Sequence, residues 1–173
     1  IINKIIILIF PTKVKLSKVK VSKIKAKVYT GKALKPAVKL TYKNKALQLN
    51  KDYKVTYKNN KKVGTATITI KGIGKYTGTK EVTFKITPAK AVISKASKTK
   101  TGLTLKLKAL KQVSGYVVTY SSDKAMKKSK SVTTKKTSLT IKTSAKTTYV
   151  KVKAYKLVNG KKVYGSSSSV KGY

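Results

Sequence analysis

The chain has 173 residues, 43 of them basic and all of those Lys, against three acids, Asp52, Glu81 and Asp123, for a net charge of +40. With no His and no Cys, thiol chemistry and disulfides are excluded, acid–base catalysis lacks its commonest group, and a metal site of His, Cys and clustered acids cannot be assembled. No run approaches the ~20 apolar residues of a membrane span, and a start at Ile1 leads us to expect a processed form or a fragment.

Residues 1–10, IINKIIILIF, are apolar except for Asn3 and Lys4, and Pro11 ends the run. The run reads either as the remnant of a signal-peptide apolar region or as a strand buried on both faces. The candidate assembly strand is Ile5, Ile6, Ile7, Leu8, Ile9 and Phe10, which would insert into the chain's own fold or add to a neighbour's sheet edge. Along residues 13–29 the apolar sets Val14/Leu16, Val19/Val21 and Ile24/Ala26/Val28 change parity at Ser17-Lys18 and at Ser22-Lys23. A one-residue slip swaps faces, so breaks or bulges are expected at the serines. We expect a linker or edge strand over 13–21 and a first strand over 23–29.

Tyr29-Thr30-Gly31 reads as a turn, Pro36 as the start of a strand through Val38, Leu40 and Tyr42, and Lys43-Asn44-Lys45 as the next turn. Leu47 and Leu49 lead into the clearest signal in the chain. Tyr53, Val55 and Tyr57 alternate with Lys and Thr, and after a polar loop over 59–64 so do Ala66, Ile68 and Ile70. Period-two alternation on both sides of a loop predicts an antiparallel hairpin with one buried face. Val82, Phe84 and Ile86 form the last strand of this half, closed by Thr87-Pro88. The pattern YTGKALKPAVKLTY followed by KNKALQLNKDYKVTYKNNKKVGTATITIKGIGKYTGTKEVTFKI resembles the bacterial Ig-like repeats of cell-surface proteins of Gram-positive Clostridia, over about residues 23–88.

In the second half a strand is expected over Ala89–Ser97. Leu103/Leu105/Leu107, Tyr116/Val118/Tyr120, Leu139/Ile141 and Val150/Val152/Ala154 then alternate with polar residues, and Asn159-Gly160 is a strong hairpin turn. SGYVVTYSSDKAMKKSKSV and TYVKVKAYKLVNGKKVYGSSSSV resemble a bacterial fibronectin type III domain over about residues 89–171. Leu107 stands where that family has a buried Trp, and Thr148 stands at its tyrosine-corner position. The expected fold is all-β: an apolar and Lys-rich segment over 1–22, an Ig-like sandwich over 23–88 and a fibronectin type III-like sandwich over 89–173.

No motif carries chemistry. Ser-x-x-Lys at Ser17/Lys20, Ser22/Lys25 and Ser97/Lys100 is expected by chance in so Lys-rich a chain. Gly72-x-Gly74-Lys75 lacks the Ser or Thr and the upstream Gly of a phosphate loop. A Lys–Asn isopeptide cross-link needs a buried acid, whereas Glu81 points opposite to Val82, Phe84 and Ile86. We expect no enzyme activity and no cofactor.

The Lys residues remain. Pro88 leaves 22 Lys and two acids before it and 21 Lys and one acid after it, so each half carries +20. An outer face on half-buried strands explains the alternation but not the scarcity of acids. An AT-rich genome and selection for charge both remain open as the origin of the bias. The candidate polyanion-binding residues are Lys13, Lys15, Lys18, Lys20, Lys23, Lys25 and Lys27, and then Lys124, Lys127, Lys128, Lys130, Lys135 and Lys136. Teichoic acid and glycosaminoglycans are the expected partners, with self-association through the N-terminal strand as a further contact. Lys without Arg lacks the planar fork that reads phosphates and bases, which argues against nucleic acid as the native partner. The family resemblance implies a non-catalytic module at the cell surface, a spacer or adhesion unit. The alternatives are a structural subunit assembling through its N-terminal strand and a released fragment acting on host cells through its fibronectin-like domain.

Overall fold

The computed structural model describes residues 12–173; the candidate assembly strand over Ile5 to Phe10 lies outside them. The strands are β1 (Val14–Lys15), β2 (Lys20–Val21), β3 (Lys27–Val28), β4 (Leu40–Tyr42), β5 (Lys45–Ala46), β6 (Tyr53–Lys58), β7 (Gly64–Gly72), β8 (Tyr76–Thr77), β9 (Thr79–Thr87), β10 (Ile93–Lys98), β11 (Gly102–Leu107), β12 (Gly115–Ser121), β13 (Lys130–Thr134), β14 (Ser138–Lys142), β15 (Tyr149–Val158), β16 (Lys161–Tyr164) and β17 (Lys171–Gly172). A single 3-10 turn, Leu16–Lys18, is the one helical element among the described residues. The fold is all-β. It forms two compact units: the first takes the described chain up to Ile24, Lys35–Lys58 and Thr67–Phe84, and the second takes Lys25–Leu34, Asn59–Ala66 and Lys85–Tyr173.

The parity changes along 13–29 are resolved by breaking the strand. Leu16 and Val19 are three residues apart and both are buried, at 1% and 2% exposure. The 3-10 turn brings positions i and i+3 onto one side, and the Val19 amide closes it on the Leu16 carbonyl at 3.1 Å. The second parity change, at Ser22, falls in a stretch without strand, so the strand expected over 23–29 shrinks to β3, in parallel register with β9 (Lys27↔Ile86).

The hairpin of β6 and β7 forms in the register Tyr53↔Gly72 through Lys58↔Thr67. Ala66, Ile68 and Ile70 are fully buried. The strand expected from Pro36 begins only at Leu40. Pro36 has no N–H for a ladder, and the carbonyls of this segment are met by side chains instead: the Tyr57 hydroxyl donates to the Pro36 carbonyl and the Tyr53 hydroxyl to the Val38 carbonyl, each at 2.7 Å. Leu47 is buried, but Leu49 is exposed. The turn that follows is closed by the Gln48 amide donating to the Asp52 carboxylate at 2.8 Å, and it ends the alternation one residue early.

In the second unit, β10-β11-β14 form one sheet and β13-β12-β15-β16 the other, with β17 on β15. Leu103, Leu105, Leu107 and Ile141 of the first sheet share one core with Tyr116, Val118, Val150, Val152 and Ala154 of the second. Two sheets with one core between them make a sandwich. Burying each such side chain is worth ~1.5–3 kcal/mol. The strand expected over 89–97 starts at Ile93, and a bulge between Ile93 and Lys95 lets Ile93 and Ala96, three apart, both pack on the core. Asn159 and Gly160 join β15 to β16 with φ of 49° and 74°, the two positive values of a type I′ turn.

One residue departs from the alternation. Tyr155 should point outward with Lys151 and Lys153, yet it is 4% exposed. It pairs with Gly115 across the sheet, and a Cβ on Gly115 would lie 2.8 Å from the Tyr155 hydroxyl and 2.6 Å from the Thr134 carbonyl. The absent side chain is the space in which the phenol lies, an aromatic covering a strand glycine. Its ring centroid is 6.2 Å from that of Tyr164, and the Lys153 and Lys162 ammonium groups sit over the Tyr164 and Tyr155 rings at 4.3 and 4.7 Å, within cation–π range.

Two measurements test these assignments. In chemical denaturation, Gly160→Ala should cost about 1 kcal/mol for a left-handed Ala, and Gly115→Ala about 2–3 kcal/mol for overpacking. Burial raises the Tyr53 and Tyr57 phenols above their ordinary value of 10.0, and for Tyr53 the neighbouring Tyr57 and Asp52 add to it. The neutral phenols therefore stabilise the fold fully below pH 10, and this contribution is lost as pH rises through the higher folded values. The double variant Tyr53→Phe/Tyr57→Phe should be about 2 kcal/mol less stable than the native chain at pH 7, with the gap narrowing above pH 10.

Candidate polyanion-binding site

Alternating strands hand every second side chain to water, and there the Lys residues stand. All described Lys are exposed except Lys80, Lys151, Lys153 and Lys156, which are half-buried. The three acids are already engaged: Asp52 accepts from the Gln48 amide, Glu81 from the Thr69 hydroxyl at 3.0 Å, and Asp123 from the Ala125 amide at 2.9 Å. Asp52 and Asp123 therefore shape turns, and Glu81 lies on an exposed face. The three Ser-x-x-Lys pairs are exposed at both residues, which leaves those serines without the sheltered base that activates a nucleophile. Among the described residues no group of three or more His, Cys, Asp or Glu could hold a metal ion, and no helix is long and apolar enough to cross a membrane.

The first Lys cluster is divided by the fold. Lys13, Lys15, Lys18, Lys20 and Lys23 belong to the first unit, and Lys25 and Lys27 to the second. The inward turn of Leu16 and Val19 drives Lys15, Lys18 and Lys20 outward. Parallel pairing of β1 with β8 (Val14↔Tyr76) and the bond from the Val14 amide to the Lys75 carbonyl at 2.9 Å bring Lys13 and Lys15 beside Lys75, a neighbour the sequence reading missed. A concavity of about 400 Å³ is lined here by Lys13, Lys15, Lys18 and Tyr42 among others. Tyr42 meets Tyr76 edge-on at 6.3 Å, and the Lys43 ammonium lies 5.8 Å from the Tyr42 ring centroid.

The second cluster is divided along a strand. Lys124, Lys127 and Lys128 lie on the loop that follows β12, and Lys130 opens β13 opposite Tyr120. Lys135 and Lys136 follow the other end of β13, roughly 15 Å away at 3.3 Å per residue. The first end gains Lys142, at the end of β14, which sequence reasoning did not single out. Its only sequence signal is its place one step after Ile141, on the outward parity. Tyr120, Ser121, Ser122, Lys128, Lys130, Lys142, Thr143, Ser144, Ala145 and Thr148 line a concavity of about 300 Å³.

The loop carrying Lys124 to Lys128 is pinned to this concavity. The Ser121 hydroxyl donates to the Lys127 carbonyl at 2.7 Å and accepts from the Asp123 amide at 3.1 Å, and the Met126 amide returns to the Asp123 carbonyl at 2.9 Å. Thr148, at the expected tyrosine-corner position, is 1% exposed. It exchanges both backbone hydrogen bonds with Tyr173, at 2.9 and 3.1 Å, and its hydroxyl accepts from the Lys98 ammonium at 2.9 Å. A small hydroxyl thus stands where a phenol was expected, and Leu107, 5% exposed, fills the expected Trp position.

No protein-family model and no curated protein matches the chain. Among solved structures it is similar to the FN1-FN3 domains of chicken CNTN1, at 14% identity and a TM-score of 0.40 over 94% of this chain and 67% of that one.

Replacing Thr148 by Val keeps the volume and removes the acceptor for Lys98. The exposed ammonium can return to water, so thermal or chemical denaturation should show a loss of about 1 kcal/mol.

Proposed function

We propose that the chain is a non-catalytic extracellular module, a spacer or adhesion unit of a Gram-positive surface protein, that associates electrostatically with polyanions. The observation that carries this reading is +40 of net charge, with the Lys residues among the described residues almost all exposed, set against three acids already engaged in turns and on a strand face. A surface of one sign attracts polyanions at long range and favours association over discrimination. The Ig-like and fibronectin-like sequence patterns support the surface setting. Teichoic acid and glycosaminoglycans are the partner class, because Lys supplies point charges suited to closely spaced anionic groups and lacks the fork for base readout. Residues Lys13 to Lys23 and Lys124 to Lys130 are the leading contacts, with Lys75 and Lys142 added to them.

The test is the salt dependence of binding to heparin and to teichoic acid. If several anionic groups are neutralised together, affinity should fall about 10³-fold or more between 50 and 200 mM salt. The melting temperature should rise with added polyanion, since a ligand of the folded state shifts the equilibrium. Equal affinity at both salt concentrations would remove the electrostatic reading.

A further inference from the structure

We infer that the concavity between the ends of β12 and β14 in the second unit is a discrete oxyanion site, taking one phosphate or sulfate group of a polyhydroxylated polyanion. The inference rests on the polyanion reading above and narrows it to one place. Three cations line the concavity, Lys128, Lys130 and Lys142, and no carboxylate does. Asp123, the one acid of this half, is occupied by the Ala125 amide on the adjoining loop.

The hydroxyls at this site give an independent reason. Thr143 and Thr148 are hydrogen-bonded to each other through their Oγ1 atoms at 3.2 Å. Their other partners are both donors: the Lys98 ammonium to Thr148 at 2.9 Å, and the Ala145 amide to Thr143 at 3.3 Å. Two hydroxyls own two protons, and their mutual bond uses one. Whichever residue donates in that bond, the other proton is left with no protein acceptor among the described residues. With the buried Thr148, 1% exposed, donating to Thr143, the spare proton lies on the half-buried Thr143 hydroxyl, which lines the concavity. An acceptor entering the concavity satisfies it. A cationic rim selects a negative one, and hydrogen bonds to a charged acceptor are the stronger kind. The volume, about 300 Å³, equals that of about ten waters. That leaves space for the oxyanion and for part of the sugar or polyol that carries it.

The experiment measures binding of a heparin tetrasaccharide and of a glycerol-phosphate tetramer to the full chain by calorimetry. It compares the native protein with Lys142→Ala and Thr143→Val, and with Lys95→Ala and Lys161→Ala as exposed controls of equal charge change. The site predicts a loss of about tenfold for Lys142→Ala and for Thr143→Val, with much smaller losses for the controls. Whichever oligomer shows the selective loss identifies sulfate or phosphate as the group held. Should Thr143→Val fail to fold, Lys142→Ala, an exposed position, decides alone. Equal losses for all Lys variants would overturn the site while leaving the general polyanion reading standing. No binding of either oligomer to the native chain at low salt would overturn both.

Discussion

Self-repulsion is the constraint that the rest of the structure answers. Charge of one sign opposes compaction, and at +40 the chain has three carboxylates to offset it. The remedy is geometric. A strand sends successive side chains to opposite faces, so an alternating sequence can place each ammonium in water and each Ile, Leu or Val in a dry core. A helix would have spread the same Lys-rich sequence around its circumference and buried part of the charge. The tyrosines relieve the remaining crowding at Tyr155 and Tyr164, whose ring faces lie under the Lys162 and Lys153 ammonium groups.

The same constraint explains why the irregular segments are held by neutral hydrogen bonds. Tyr53 and Tyr57 tie the strand-free stretch at Pro36 and Val38 to the central hairpin. Asn60 donates to the Leu34 carbonyl at 3.0 Å. Lys80, one of the few half-buried Lys residues, places its ammonium on the Val19 carbonyl at 2.8 Å. Carbonyls without a ladder partner thus accept from phenols, amides and one ammonium, and two of the three acids, Asp52 and Asp123, are left to shape turns.

Function follows from the positions left over. Loops at strand ends are free of the alternation rule, and it is there that Lys residues from separate strands converge. Around Thr148 the convergence includes a hydroxyl pair, Thr148 buried and Thr143 half-buried, whose other partners are donors, a local excess of positive potential of the same sign as the whole surface. On the proposed reading, a chain that held polyanions loosely everywhere could hold one anionic group in a defined pose there. That would fix the register of a long ligand without adding to the net charge.

The sequence by itself determined the all-β class, the central hairpin, the Asn159-Gly160 turn and the faces of most core strands, because period two and positive-φ turn residues are local properties. It also showed where the strand over 13–29 must break, since parity changes at Ser17 and Ser22 are visible without coordinates. Tertiary structure alone decided how the first break is made: a 3-10 turn buries Leu16 and Val19 together. It also decided that Tyr155 is buried on the outer face, because the space for it is the missing side chain of Gly115, forty residues away before folding and directly across the sheet after it. The Lys clusters show the same division. Exposure of each Lys could be read from alternation, but which Lys residues share a concavity depends on strand order and register. Those are set by long-range pairing, which is why Lys135 and Lys136 leave the cluster and Lys142 enters it.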